Sequence, residues 1–219
     1  MNYNAGLTIK MNKIFSLYLL MIFSIPAYAL AQDATYYYNR GLSAYEKGEY
    51  DEAIREYSKA IELSPNDADY FNNRGLCYKK KGNSLQAISE FNRAVAIDPN
   101  YVDAYFNRGL IHISQEQFTE AISDYSQAIT ISPRDAEAYY NRGIAYAAKS
   151  AFEEAVLDYK KAIEINPGYA HAYENLGIIY RNLGRNSQAK EYLSKAMELF
   201  RAQGNQEQVA NIEKLLRGL

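Results

Sequence analysis

Four prolines, Pro65, Pro99, Pro133 and Pro167, stand 34 residues apart. Five glycines, Gly41, Gly75, Gly109, Gly143 and Gly177, keep the same spacing, and so do two alanine series. The first runs Ala53, Ala87, Ala121, Ala155 and Ala189; the second runs Ala60, Ala94, Ala128, Ala162 and Ala196. Gly48, Gly82 and Gly184 add a partly kept series. Four complete series in phase leave no room for a chance origin. They restrict the chain to a tandem array, in which each period is one supersecondary unit that buries its apolar face only by stacking on its neighbours.

Within a period the apolar spacing predicts two helices. A stretch such as Tyr37–Lys47 is followed by a short glycine turn and a second stretch such as Tyr50–Leu63. Small residues at Gly41 and Ala53 allow close approach of the two backbones, and Ala60 does the same against the next unit. Aromatic side chains fill the remaining space. Tyr37, Phe71, Tyr105, Tyr139 and Tyr173 come from the first helices, and Tyr57, Phe91, Tyr125 and Tyr159 from the second, with Leu193 last. Proline ends each second helix.

The segment Tyr37-Tyr38-Asn39-Arg40-Gly41…Gly48-Glu49-Tyr50-Asp51-Glu52-Ala53-Ile54…Tyr57…Ala60-Ile61…Pro65-Asn66 resembles the tetratricopeptide repeat. That resemblance implies an all-α, right-handed α-solenoid of five helix pairs, at 34–67, 68–101, 102–135, 136–169 and 170–203. Tyr or Phe stands where the family often has Trp, which accounts for 22 Tyr beside no Trp. Glu116 and Ser150 replace the turn glycine in the third and fourth units, so those turns are expected to be tighter or shifted. No proline follows the fifth unit. Residues 204–219 place Val209, Ile212, Leu215 and Leu216 on one helical face, as a terminal capping helix requires; a sixth half-unit is the alternative.

Arg40, Arg74, Arg108 and Arg142 precede the glycines, and sixteen residues later stand Glu56, Glu90, Asp124 and Asp158. In the fifth unit both positions change together, to Leu176 and Tyr192. This covariation predicts an Arg–carboxylate contact across the seam of each of the first four helix pairs.

Residues 1–31 differ from the array. Lys10 and Lys13 are the only charges, the stretch Ile14–Ile25 is apolar, Pro26 follows, and Ala27-Tyr28-Ala29 and Ala29-Leu30-Ala31 supply small-residue exits. This is the pattern of a secretory signal peptide cleaved after Ala29 or Ala31, with Met11 an alternative start. The expected location is periplasmic or secreted. An uncleaved membrane anchor is the alternative, although its apolar core is short for a span of ~20 residues. Cleavage removes two lysines and no acid, so the net charge moves from −2 to −4.

That balance gives no broad basic field for nucleic acid. One Cys and two His supply neither a disulfide framework nor a metal cluster. No phosphate loop or nucleophile elbow is present, so neither an enzyme nor a cofactor site is expected. His112 and Cys77 read as packing residues, and His171 as a solvated one.

The candidate function is peptide or helix binding on the face lined by the first helices. Asn39, Asn73, Asn107, Asn141 and Asn175 recur two residues before each glycine. An amide can donate and accept at once, so such a series can hold a peptide backbone without reading its sequence. It is similar to the asparagine ladder of superhelical tetratricopeptide proteins; the alternative is a local contact to a neighbouring helix. Tyr38, Phe106 and Tyr140 lie one turn before Leu42, Leu110 and Ile144, with Leu76 and Ile178 completing the aliphatic series. Ordinary core packing competes with a groove role for these. Asp69, Asp103 and Glu137 rim the surface. The Lys/Asn/Arg clamp by which some family members hold a carboxylate is absent, because Tyr38, Leu42, Asp103 and Asn107 occupy its positions and only Asn73 fits. The chain is therefore expected to be a non-catalytic scaffold for a protein partner, with a membrane-anchored assembly factor and a self-associating structural protein as alternatives.

Overall fold

The computed structural model of the chain describes residues 27–219. Among them are eleven α-helices and no strand. They fall into two compact units that divide between Ile97 and Asp98. The first holds α1 (Ala27–Glu46), α2 (Tyr50–Leu63), α3 (Ala68–Lys80) and α4 (Ser84–Ile97). The second holds α5 (Val102–Ser114), α6 (Phe118–Ile131), α7 (Ala136–Ala148), α8 (Phe152–Ile165), α9 (Ala170–Asn182), α10 (Asn186–Ala202) and α11 (Gln206–Arg217). Each is a stretch of stacked helix pairs, the solenoid class expected from the period.

Every pair is built around one contact. In the first four pairs a ring of the second helix packs directly on the glycine of the first. A Cβ placed on Gly41 would sit 2.5 Å from the Tyr57 ring, and one on Gly143 would sit 2.7 Å from the Tyr159 ring. Gly75 receives Phe91, Gly109 receives Tyr125 and Gly177 receives Leu193 in the same way. Any side chain at these positions would drive the helices apart, a cost of about 1–3 kcal/mol for overpacking. The alanine series completes the approach, since Ala53, Ala60, Ala121, Ala128, Ala155 and Ala162 are wholly buried.

The cores cross from one pair to the next. Cys77 of α3 joins Ala44, Ala53 and Tyr57 of the preceding pair. Burial pushes its thiol up to about 12, so it is a neutral packing group. In the second unit, Ala155 and Tyr159 of α8 share a cluster with Leu176, Ile179 and Tyr180 of α9. α11 closes the array's last apolar face: Val209 and Ile212 are buried against Leu193, Ala196 and Phe200 of α10. That is the expected cap.

The turns of the third and fourth units correct the sequence expectation. They are neither tighter nor shifted. Glu116 and Ser150 adopt the left-handed backbone, φ 58° and 61°, where Gly48, Gly82 and Gly184 have φ 77°, 74° and 70°. The hydrogen bonds are also kept. Gly48 N donates to Tyr45 O at 2.9 Å, and Ser150 N donates to Ala147 O at 2.9 Å. The following residue donates to the carbonyl five back in both, Glu49 N to Ala44 O and Ala151 N to Tyr146 O, each at 2.9 Å. Two bonds and the packing of the flanking helices hold an L-residue in a conformation it disfavours.

The described part of α1 runs from Ala27, and both expected cleavage points lie within it. The basic and apolar parts of the expected signal, and Pro26, lie outside the described residues. Among the described residues no helix is long and apolar enough to cross a membrane.

Ser150→Gly should raise stability by about 0.5–1 kcal/mol, since relief of the left-handed strain exceeds the added chain entropy. Urea unfolding followed by circular dichroism measures it.

Candidate functional site

Two faces of each helix pair carry polar chemistry: the seam, and the surface of the first helices.

At the seam the predicted ion pairs are present. Arg74 Nε and Nη2 donate to Glu90 Oε2 and Oε1 at 3.0 and 2.9 Å. Arg142 Nε and Nη2 donate to Asp158 Oδ2 and Oδ1, both at 2.8 Å. Arg108 Nε lies 3.0 Å from Asp124 Oδ2, and Arg40 Nε lies 3.2 Å from Glu56 Oε2. An aromatic ring one turn earlier covers each guanidinium: Phe71 under Arg74 at 5.7 Å, Tyr105 under Arg108 at 5.4 Å and Tyr139 under Arg142 at 5.6 Å.

The pairing reaches further than the sequence reading placed it. Arg74 Nη1 also donates to Ser58 Oγ of α2 at 2.9 Å, and Arg142 Nη1 to Ser126 Oγ of α6 at 3.0 Å. Those hydroxyls donate onward to Ile54 O and Ile122 O at 2.7 and 2.6 Å. Arg74 and Arg142 thus each tie three helices, whereas Glu56 Oε2 in the first pair is buried with no hydrogen bond, only the ion pair to Arg40. The signal was in the spacing: Ser58 and Ser126 recur in the repeat, and the place becomes Lys160 before the unit that lacks the arginine. Burial outweighs Arg74 at Glu90 and holds its carboxyl above the ordinary carboxylate range. The seam therefore fixes register more than it adds stability.

The asparagines do not form one uniform ladder. Asn73 Nδ2 donates to Asp69 O at 2.8 Å and to Tyr38 Oη at 3.3 Å. Asn141 Nδ2 donates to Glu137 O at 2.9 Å, and that residue is buried. Asn175 Nδ2 lies 3.4 Å from both Tyr140 Oη and Tyr159 Oη. Asn107 is half-buried and Asn39 exposed. Carbonyls of the same helix engage the amides of Asn73 and Asn141, and tyrosines of the preceding pair those of Asn73 and Asn175. The aromatic and aliphatic candidates, Tyr38, Phe106, Tyr140, Leu42, Leu76, Leu110 and Ile144, are all half-buried. Tyr38 packs on Tyr57, Phe106 on Tyr125 and Tyr140 on Tyr159, at 5.8, 5.6 and 5.7 Å between ring centres. They divide their surface between core and solvent.

In the second unit this face opens into a cleft of about 290 Å³ between α7 and α9. Ile144, Ala147, Phe152, Ile178 and Ile179 supply apolar walls, and Tyr159, Asn175 and Asn182 the polar atoms. Sequence reasoning named Ile144, Asn175 and Ile178. It missed Phe152 and Asn182, because Phe152 comes from the start of a second helix and Asn182 has no counterpart in the other units. Tyr159 reaches the cleft from α8 over Gly143, through the gap a missing Cβ leaves. Burial keeps its hydroxyl protonated far above the ordinary phenol range.

The remaining chemistry-bearing residues are accounted for locally. His112 Nδ1 faces Gln117 Oε1 at 2.7 Å, with Nε2 3.7 Å from Asp124. His171 is exposed, packed edge-on against Phe200 at 4.8 Å. Among the described residues no group of three His, Cys, Asp or Glu is arranged to hold a metal ion.

Models of the TPR repeat match residues 41–82, 85–115 and 109–150, and models of the tetratricopeptide repeat match 136–169 and 158–191. A search of curated protein sequences gave no match. Among solved structures, a crystal structure of MamA is 29% identical with a TM-score of 0.72, covering 75% of this chain and 96% of its own. YrrB, described as a TPR protein with an unusual peptide-binding site, is 25% identical with a TM-score of 0.70, covering 83% of this chain and 92% of its own. A MamA fragment from Desulfovibrio magneticus RS-1, at 24% identity and TM-score 0.74, covers 80% of this chain and 99% of its own and is alike in fold.

Arg74→Leu alone should cost about 3 kcal/mol by leaving Glu90 and Ser58 with a buried, broken network. Arg74→Leu/Glu90→Tyr/Ser58→Lys, which copies the three places changed at the fifth unit, should cost less than half as much. Urea unfolding of both variants gives the comparison.

Proposed function

Because the chain belongs to the tetratricopeptide repeat family, we propose that it is a non-catalytic protein-interaction scaffold that binds an extended peptide segment along its first helices. The cleft between α7 and α9 supports this most directly. Its walls are apolar and open, and it holds a few fixed polar atoms, the composition of a recognition site. Asn175 offers its carbonyl oxygen, since its amide nitrogen is engaged by two tyrosines. A peptide N–H can meet that acceptor without displacing any bond. The description of YrrB as peptide-binding adds support from a chain of similar fold.

We place the scaffold outside the cytoplasm, on the basic, apolar and small-residue order of residues 10–31. The partner is a protein or peptide, and the chain touches a membrane only if its N-terminal segment stays attached.

Ile144→Asp/Ile178→Asp should abolish capture from a random ten-residue peptide library while leaving the helical circular dichroism spectrum unchanged. Undiminished capture would move the binding site elsewhere. Intact mass of the exported protein should show a new N-terminus after Ala29 or Ala31; a full-length mass would favour the anchored reading.

A further inference from the structure

Beyond the residues that line the cleft, toward the N-termini of α7 and α9, Asn175 leads through the Tyr140 hydroxyl to a surface that carries carboxylates. Glu137 lies in the first turn of α7 and forms no ion pair among the described residues. Asp135 caps the same helix, its Oδ1 accepting from Glu137 N at 2.9 Å and Ala138 N at 3.2 Å. Glu174, on α9 beside Asn175, meets only His171, 3.3 Å away. Close to these carboxylates the rings of Tyr140 and Tyr169 pack in a tilted pair, 4.7 Å between centres. The charged groups that act on these two rings are acidic. Glu137 and Asp135 both act to raise the Tyr169 pKa, and Glu174 does the same at Tyr140, each behind burial as the larger cause. The nearest arginine on α7, Arg142, is bound to Asp158 and Ser126 at the seam and neutralises nothing here.

Resting on the peptide-binding reading above, we infer that the occupant of this cleft is a segment with an aliphatic side chain followed or preceded by a lysine or arginine. The aliphatic group fills the space between Ile144 and Ile178. The cation lies at the Glu137–Glu174 end, against the two tyrosine rings. Three features match that chemistry together: an apolar cleft of one side chain's size or more, carboxylates that meet no lysine or arginine among the described residues, and aromatic faces that attract a cation. An acidic or phosphorylated segment would meet like charge at the same place. A neutral segment would gain only the aliphatic contact.

The test uses the full chain and fluorescein-labelled ten-residue peptide pools with one fixed leucine. The adjacent residue is lysine, glutamine or glutamate. At low salt the lysine pool should bind about tenfold more tightly than the glutamate pool, with glutamine between, since two partly exposed carboxylates contribute at this scale. Raising salt to ~0.5 M should shrink that ratio toward one. Glu137→Gln/Glu174→Gln should remove the lysine preference and leave the leucine dependence in place. Ile144→Asp/Ile178→Asp should remove binding of all pools. Equal binding of the three pools, with sensitivity to the isoleucine changes retained, overturns the charge inference and leaves the groove. Binding that ignores the isoleucine changes, or no binding of any pool, overturns both.

Discussion

The array depends on a contact sixteen residues wide: a ring from the second helix seated on a glycine of the first. It sets how near the two backbones come, and everything else in a pair is positioned by that distance. The Arg–carboxylate seam uses the same sixteen-residue offset one position earlier, so Gly41–Tyr57 and Arg40–Glu56 are one register expressed in two chemistries. Packing sets the separation, and the ion pair excludes sliding, because a slip of one residue would bury a guanidinium without its partner.

The fifth unit shows which half of this arrangement is indispensable. Gly177 still receives its partner, now Leu193, whereas the arginine, the carboxylate and the preceding serine have all changed, to Leu176, Tyr192 and Lys160. Lys160 finds the Tyr180 ring instead, and Tyr180 stacks on Tyr192. An apolar and aromatic seam therefore serves as well as an ionic one, provided that all three places change together. The glycine contact has no such substitute, since any Cβ there meets the second helix.

The same gap in the first helix connects fold to function. With no Cβ at Gly143, the Tyr159 hydroxyl reaches from behind to the floor of the cleft and meets Asn175. Phe91 packs over Gly75 without a hydroxyl, so the phenol oxygen is not required for packing. Its presence at Tyr159 gives the cleft a polar floor. The cleft and the structural seam are thus two sides of one helix, and the residue next to the glycine decides neither alone.

Period, helix pairs, capping helix and ion-pair register were legible in the sequence, because each rests on spacing, and a helix converts spacing into direction. The turn geometry was not: Glu116 and Ser150 look like losses of glycine, but the flanking helices, already fixed by packing, impose the left-handed backbone on whatever residue lies there. The asparagine series was legible as a series and not as a role, since an amide's partners depend on which tyrosine the neighbouring pair brings within 3.4 Å. Sequence periodicity determines which residues share a face of each helix. Only tertiary packing decides how much of that face the next pair covers, and so which of its residues are left for a partner.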